Sequence, residues 1–403
     1  MGEAMRQVIA HEIGHALGLP HNMVSSSAYP VDSLRSVDFA RRMGVAPSVM
    51  DYARQNYIAQ PGDGLEPTDY IRKIGPYDHY AINWGYRVIP EAETPEVERP
   101  ILDQWILERA DDPMFRYTPQ QGGVNPRAQT EDMGDDPVRA SFYGIENLKR
   151  VTPNLVEWTA TDGENYDDLE ELYGELVGQW NRYVGHVVTL VGGMYQVLKS
   201  SDQEGPVFEP VERSKQEGAV RFLVEQVFET PAWLQDREIL RRIESTGAVE
   251  RLRAIQVRRL NNLLDPSRMQ RMIESEVFDG GAYPLVDYFS DLKEGIWGEL
   301  AGAGAIDTYR RNLQRGYVER LEWLMTEEPP APRAGGPGGP QRARAPSVDV
   351  SQSDIRPLAR AQLREIQGDA ERASTRTRDR MTRYHLEDIV ARIDDILDVG
   401  GSD

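Results

Sequence analysis

Three of the chain's six histidines fall within eleven residues, His11-Glu12-Ile13-Gly14-His15-Ala16-Leu17-Gly18-Leu19-Pro20-His21. No other stretch constrains the fold as much. Met5, Val8, Ile9, Glu12, His15 and Ala16 recur at three- and four-residue steps, which predicts a helix over 3–18. Residues four apart on a helix differ by about 40° of rotation, so His11 and His15 project to one side. Gly18 can take a left-handed backbone and end the helix. The chain then doubles back, and His21 can approach the same point in space. Three neutral imidazoles at ~2.0–2.1 Å suit a tetrahedral divalent cation with one corner left open. Glu12 projects about 100° around the helix from His11, better placed to act on a molecule in that corner than to ligate. The competing readings are an amphipathic helix with polar histidines and a closed, purely structural metal site.

Composition narrows the chemistry. The 403 residues include no cysteine, so disulfides, thiolate zinc sites and cysteine nucleophiles are excluded. Lys+Arg number 46 against 66 Asp+Glu, a formal net charge of −20. That balance argues against nucleic-acid and anionic-membrane partners, which need a basic face. The least polar run, Val184–Leu198, is shorter than the ~20 residues a membrane-spanning helix needs. No targeting signal is visible, because the first residues carry charge and the histidine motif.

A second motif follows at Ser48-Val49-Met50-Asp51-Tyr52. Met50 in a tight turn could place a soft, apolar thioether beneath a metal. Tyr52 could bring a phenol near the ion, as a weak ligand or as a hydrogen-bond donor to an oxyanion. Further along, helices are predicted near Pro76–Tyr86, along one continuous stripe from Tyr166 to Leu198 that Gly192-Gly193 could bend, and at 213–229, 235–260, 267–278, 283–297, 305–326 and 355–397. The composition of Pro329–Pro346 is that of a flexible linker. The expected division is 1–90 for the zinc-binding helix and Met-turn, 91–328 for a helical region, 329–348 for the linker and 349–403 for a helical tail.

Other residues have plainer readings. His186 faces the apolar stripe and is expected to be a packed core histidine, His79 to be structural, and His385 to lie on a solvated helix face. Asp51 could orient a ligand histidine or cap locally. Asp63, between two glycines, could bind Ca²⁺, but a plain turn is the stronger expectation. Glu131, Asp132, Asp135 and Asp136 are explained by the charge of a helix N-terminus at Pro137. The arginines at 372, 376, 378, 380 and 383 alternate with acids, as on a solvated face.

The histidine motif followed by the Ser-x-Met-x-Tyr turn resembles the metzincin clan of zinc metallopeptidases. The wider stretch Ser25–Gly85 resembles a bacterial group of large exported zinc-dependent metalloproteases with a Met-zincin domain. The resemblance continues through Arg127–Val151 and Gln179–Val187. It implies that His11, His15 and His21 ligate one zinc per chain, that Glu12 is the catalytic base and that Met50 is the Met-turn residue. Tyr52 matches the position of a possible fifth ligand. It also implies an extracytoplasmic location, periplasmic or secreted. Metzincins carry an N-terminal sheet above the active-site helix, and only ten residues precede His11 here. The expectation is therefore a mainly α chain, the C-terminal part of a longer α+β protein, with the metzincin sheet absent. The expected function is zinc-dependent hydrolysis of peptide bonds, acting on a protein or peptide. The alternatives are a helical binding or assembly module with a structural or inactive zinc site, and hydrolysis of a non-peptide amide.

Overall fold

The computed structural model describes residues 2–119, 124–327 and 348–399. The expected linker lies almost wholly outside them. The described residues are mainly α-helical, with a single two-stranded antiparallel sheet that pairs Met194–Gln196 (β1) with Phe208–Pro210 (β2). None of the described helices is long and apolar enough to cross a membrane. The chain divides into two compact units, residues 1–211 and 212–403.

The first unit contains α1 (Gly2–Ala16), α2 (Val37–Met43), α3 (Pro76–Tyr86), α4 (Pro95–Leu107), α5 (Pro137–Val151), α6 (Leu155–Trp158) and α7 (Asp167–Val188). Much of its core comes from irregular chain: Tyr29, Val31, Leu34, Val45, Ala46, Ile58 and Met133 pack together there. α5 and α7 form the regular part. Leu169, Tyr173, Leu176, Trp180, Tyr183, Val184 and Val187 recur at helical spacing on α7 and are buried. Ser141 donates to the carbonyl of Tyr183 at 2.9 Å, tying α5 to α7. His186 is buried as expected, its Nε2 bonded to the carbonyl of Thr130.

The stripe expected to run unbroken to Leu198 does not. α7 stops at Val188, Gly192 adopts φ 55°, and Met194 and Tyr195 enter β1. Apolar residues at 191, 194, 195 and 198 fit a helical stripe, so periodicity alone did not expose the break.

The second unit comprises α8 (Arg213–Leu223), continued by a π-turn at Val224–Phe228, then α9 (Arg237–Ile243), α10 (Ala248–Leu263), α11 (Pro266–Phe278), α12 (Leu285–Trp297), α13 (Thr308–Thr326), α14 (Ile355–Arg376) and α15 (Arg380–Val399). The single helix expected over 235–260 is two, broken where Gly247 takes φ 125°. Asp236, Asp265 and Asp307 cap α9, α11 and α13 by accepting from first-turn N–H groups. α13 is central, with α10, α12, α14 and α15 packed on it. Arg310 on α13 is buried and donates to the carbonyls of Phe228, Gly295 and Ile296 and to Glu299.

His385 corrects the expectation of a solvated face. It is 2 % exposed, and its ring meets Gln314 Oε1 on α13 at 2.8 Å. Because that partner is an acceptor, Nε2 carries the proton. Burial, followed by Arg315, Arg311 and Arg392, lowers its pKa to about 3. An unfolded chain binds a proton there near the ordinary value of about 6.5, so this contribution to stability is full above that pH and is lost as pH falls towards 3. At pH 5 the loss amounts to about 2 kcal/mol. Urea titrations at pH 7.5 and pH 5 should show the wild type losing more stability than His385→Gln, and equal losses would refute the assignment.

Candidate metal centre

α1 carries the first two histidines. Its last turn closes through Leu17 N–H and Gly18 N–H, and Leu19 N–H returns to the carbonyl of Gly14. Gly18 takes φ 84°, the left-handed conformation that lets the chain reverse without strain. The reversal brings Leu19's carbonyl under His15 and His21 beside both. One ligand nitrogen from each of His11, His15 and His21 lies within 4.8 Å of the others.

Two backbone carbonyls orient these rings. His11 Nδ1 donates to Val49 O at 2.8 Å and His15 Nδ1 to Leu19 O at 2.9 Å. A carbonyl only accepts, so each Nδ1 bears the proton and each Nε2 presents a lone pair, the tautomer metal ligation requires. His15 Nε2 and His21 Nε2 then stand 3.0 Å apart. Two nitrogens on a tetrahedral zinc at ~2.0–2.1 Å lie about 3.3 Å apart, so the spacing fits a shared cation. The pKa of His21 is lowered by burial, then by His15 and His11, which favours the neutral ring a metal needs.

The Met-turn lies beneath. Met50 is fully buried, and a Cβ built on Gly14 would stand 2.3 Å from its sulfur, so α1 approaches this closely only with glycine at 14. Tyr52 stacks its ring 5.6 Å from His11 and tilts it 4.2 Å from His21. Glu12 is exposed on α1 and close enough to His21 to act on it electrostatically. The structure thus brings together the three histidines and Tyr52, with Met50 against Gly14 between the two histidines of α1 and Glu12 at the rim.

Several residues that hold this arrangement were missed from sequence. Asp78 on α3 accepts from Ser48 Oγ at 2.6 Å, Val49 N at 2.9 Å and Gly75 N at 2.8 Å. It therefore fixes, through its N–H, the residue whose carbonyl orients His11. The segment Gly-Pro-x-Asp at 75–78 marks a helix start, but not which loop its carboxylate would also hold. Arg72 donates to the same Val49 carbonyl at 3.2 Å. Asn22, next to His21, donates its N–H to Met50 O and its side-chain amide to Arg116 O, and it accepts from Thr118 N. Glu131, at φ 67°, donates its N–H to the carbonyl of Tyr52 while its carboxylate pairs with Arg54 and Arg182.

Of the two roles left open for Asp51, capping of backbone N–H groups is the one observed, locally at Ala53 and across the fold at Ser26. Fully buried, it accepts from Ser26 N and Ala53 N, and burial pushes its pKa up to about 6. Burial, and then the nearby Asp51, raise Asp132 well above its ordinary value. Asp63 is engaged by Arg35 and by the N–H of Gln60, so calcium finds no support there. Of the acidic cluster before α5, only Asp136 caps the helix, and Asp135 serves Val31 N instead. His79 is exposed.

The chain matches the Met-zincin family over residues 1–304 and belongs to it. Membership points to a zinc metallopeptidase. No curated protein and no solved structure matches the chain significantly.

Replacing Asp78 by Ala leaves Val49 N and Gly75 N without their acceptor, at about 1–3 kcal/mol. It should weaken zinc binding ten- to a hundredfold. Competition with a chromophoric chelator, with helicity followed in parallel, measures this; unchanged affinity would remove Asp78 from the arrangement.

Proposed function

We propose that the chain carries the catalytic centre of a zinc-dependent endopeptidase. The observation that supports this best is the pair of carbonyl-fixed imidazoles whose free nitrogens converge with His21 on one point. His11, His15 and His21 would hold the ion. Zinc bound there would supply Lewis acidity to the peptide carbonyl and raise the acidity of the attacking water. Glu12 takes the proton of that water as general base and passes it to the departing amine nitrogen. Tyr52, against His21, either donates its hydroxyl to the oxygen that gains charge or adds a further ligand. Met50 shapes the floor and takes no part in the chemistry.

One observation favours a second reading, in which the metal site serves assembly. α1 turns Met5, Val8, Ile9, Ile13 and Leu17 to solvent while His11 and Gly14 face inward. A contiguous apolar helix face marks an interaction surface. In that reading a partner segment packs on this face. An extracytoplasmic setting is in keeping with the absence of cysteine.

Metal analysis should find about one zinc per chain, lost in His15→Ala. Zinc-loaded protein offered a mixed peptide library should cleave it, and Glu12→Gln should retain zinc while losing about 10²–10⁴ in rate. Retained zinc with no cleavage by the wild type or by a longer form would decide for the assembly reading.

A further inference from the structure

The metal-binding loop forms one wall of a cavity of about 540 Å³ in the first unit, inside the ~300–1,000 Å³ range of ligand sites. Leu17 to Pro20 line it, ending one residue before His21. Tyr80 and Trp84 of α3 and Phe115 supply aromatic walls. Leu17, Trp84, Tyr86, Ile106 and Leu198 all line this cavity and are all exposed. Single exposed apolar side chains mean little, whereas several gathered in one concavity mark a binding surface.

Two guanidiniums share the lining, Arg109 and Arg116. Arg109 lies over the Phe115 ring at 5.0 Å. The Nε of Arg116 is shielded from water and meets no acceptor. Among the described residues neither arginine forms an ion pair, although carboxylates outnumber cations in the chain, 66 to 46. Asp111, Asp112 and Glu209 reach Arg116 only at a distance, and Arg127 opposes it. Guanidiniums in an apolar concavity with no carboxylate in direct contact call for an anion joined to an apolar group.

We propose that this cavity binds a peptide segment in which an aromatic or aliphatic side chain stands next to a carboxylate. The apolar group packs against Trp84 and the edge-to-face pair of Tyr80 and Phe115, and the carboxylate meets Arg109 and Arg116. That the ligand is a peptide rests on the endopeptidase reading, through the loop shared with His21; the apolar and anionic chemistry does not.

The test is fluorescence anisotropy on the full chain with chelator present, so that no cleavage occurs. The probes are fluorescein-labelled peptides with cores Asp-Phe-Leu, Asn-Phe-Leu and Asp-Ser-Ser. The first should bind at least fivefold more tightly than either other. Arg109→Gln and Arg116→Gln should each weaken it two- to fivefold and leave Asn-Phe-Leu unchanged. Gly85→Leu fills the cavity from α3, where an added Cβ meets nothing within 4 Å and leucine suits a helix better than glycine. It should weaken the Asp-Phe-Leu peptide at least fivefold with helicity intact. Equal binding of the Asp and Asn peptides would overturn the proposal, as would displacement by dodecanoate at lower concentration than by unlabelled peptide. Peptide preference here with no cleavage by the zinc-loaded protein in a separate assay would remove the endopeptidase function and leave the cavity assigned; cleavage there without preference here would do the reverse.

Discussion

The site depends on one peptide carbonyl. Val49 O receives the His11 ring and the Arg72 guanidinium, while the N–H of the same residue is held by Asp78. A histidine ring free to rotate loses entropy when it ligates, whereas a ring already bonded through Nδ1 does not. The irregular chain over residues 44–58 is therefore as important to the metal centre as α1. Its regularity comes from side chains rather than from ladder hydrogen bonds: Asp51, Asn56 and Asp78 each accept from backbone N–H groups.

This explains where burial and charge meet. Asp51 lies fully shielded between Met50 and Tyr52, and Asp132 is buried near it. Asp51 is tolerated there because the backbone N–H groups of Ser26 and Ala53 meet it. The cost is accepted where a turn must be held in one conformation, and the turn in question lies beneath the three imidazoles.

The histidine cluster was legible in the sequence because helix geometry turns a four-residue spacing into a shared face, and because only a reversal at Gly18 can bring His21 back. Helices with strong apolar stripes were legible for the same reason, as Asp167–Val188 and Leu285–Trp297 illustrate. What escaped was non-local. Asp78 and Arg72 lie more than twenty residues from the carbonyl and N–H they serve. His385 looked solvated until α13 was seen to pack on it. The stripe through Val188 to Leu198 kept its helical period across a real break, since a short strand can carry the same residues.

The contact between Gly14 and Met50 has a consequence for how such a sequence can change over generations. The sulfur occupies the volume that any side chain at position 14 would claim, and Met50 is sealed on every side. A single replacement at 14 thus forces the Met50 thioether out of its place or requires a smaller residue at 50. The two sites are tied as a pair, and a change at one alters what the other can hold.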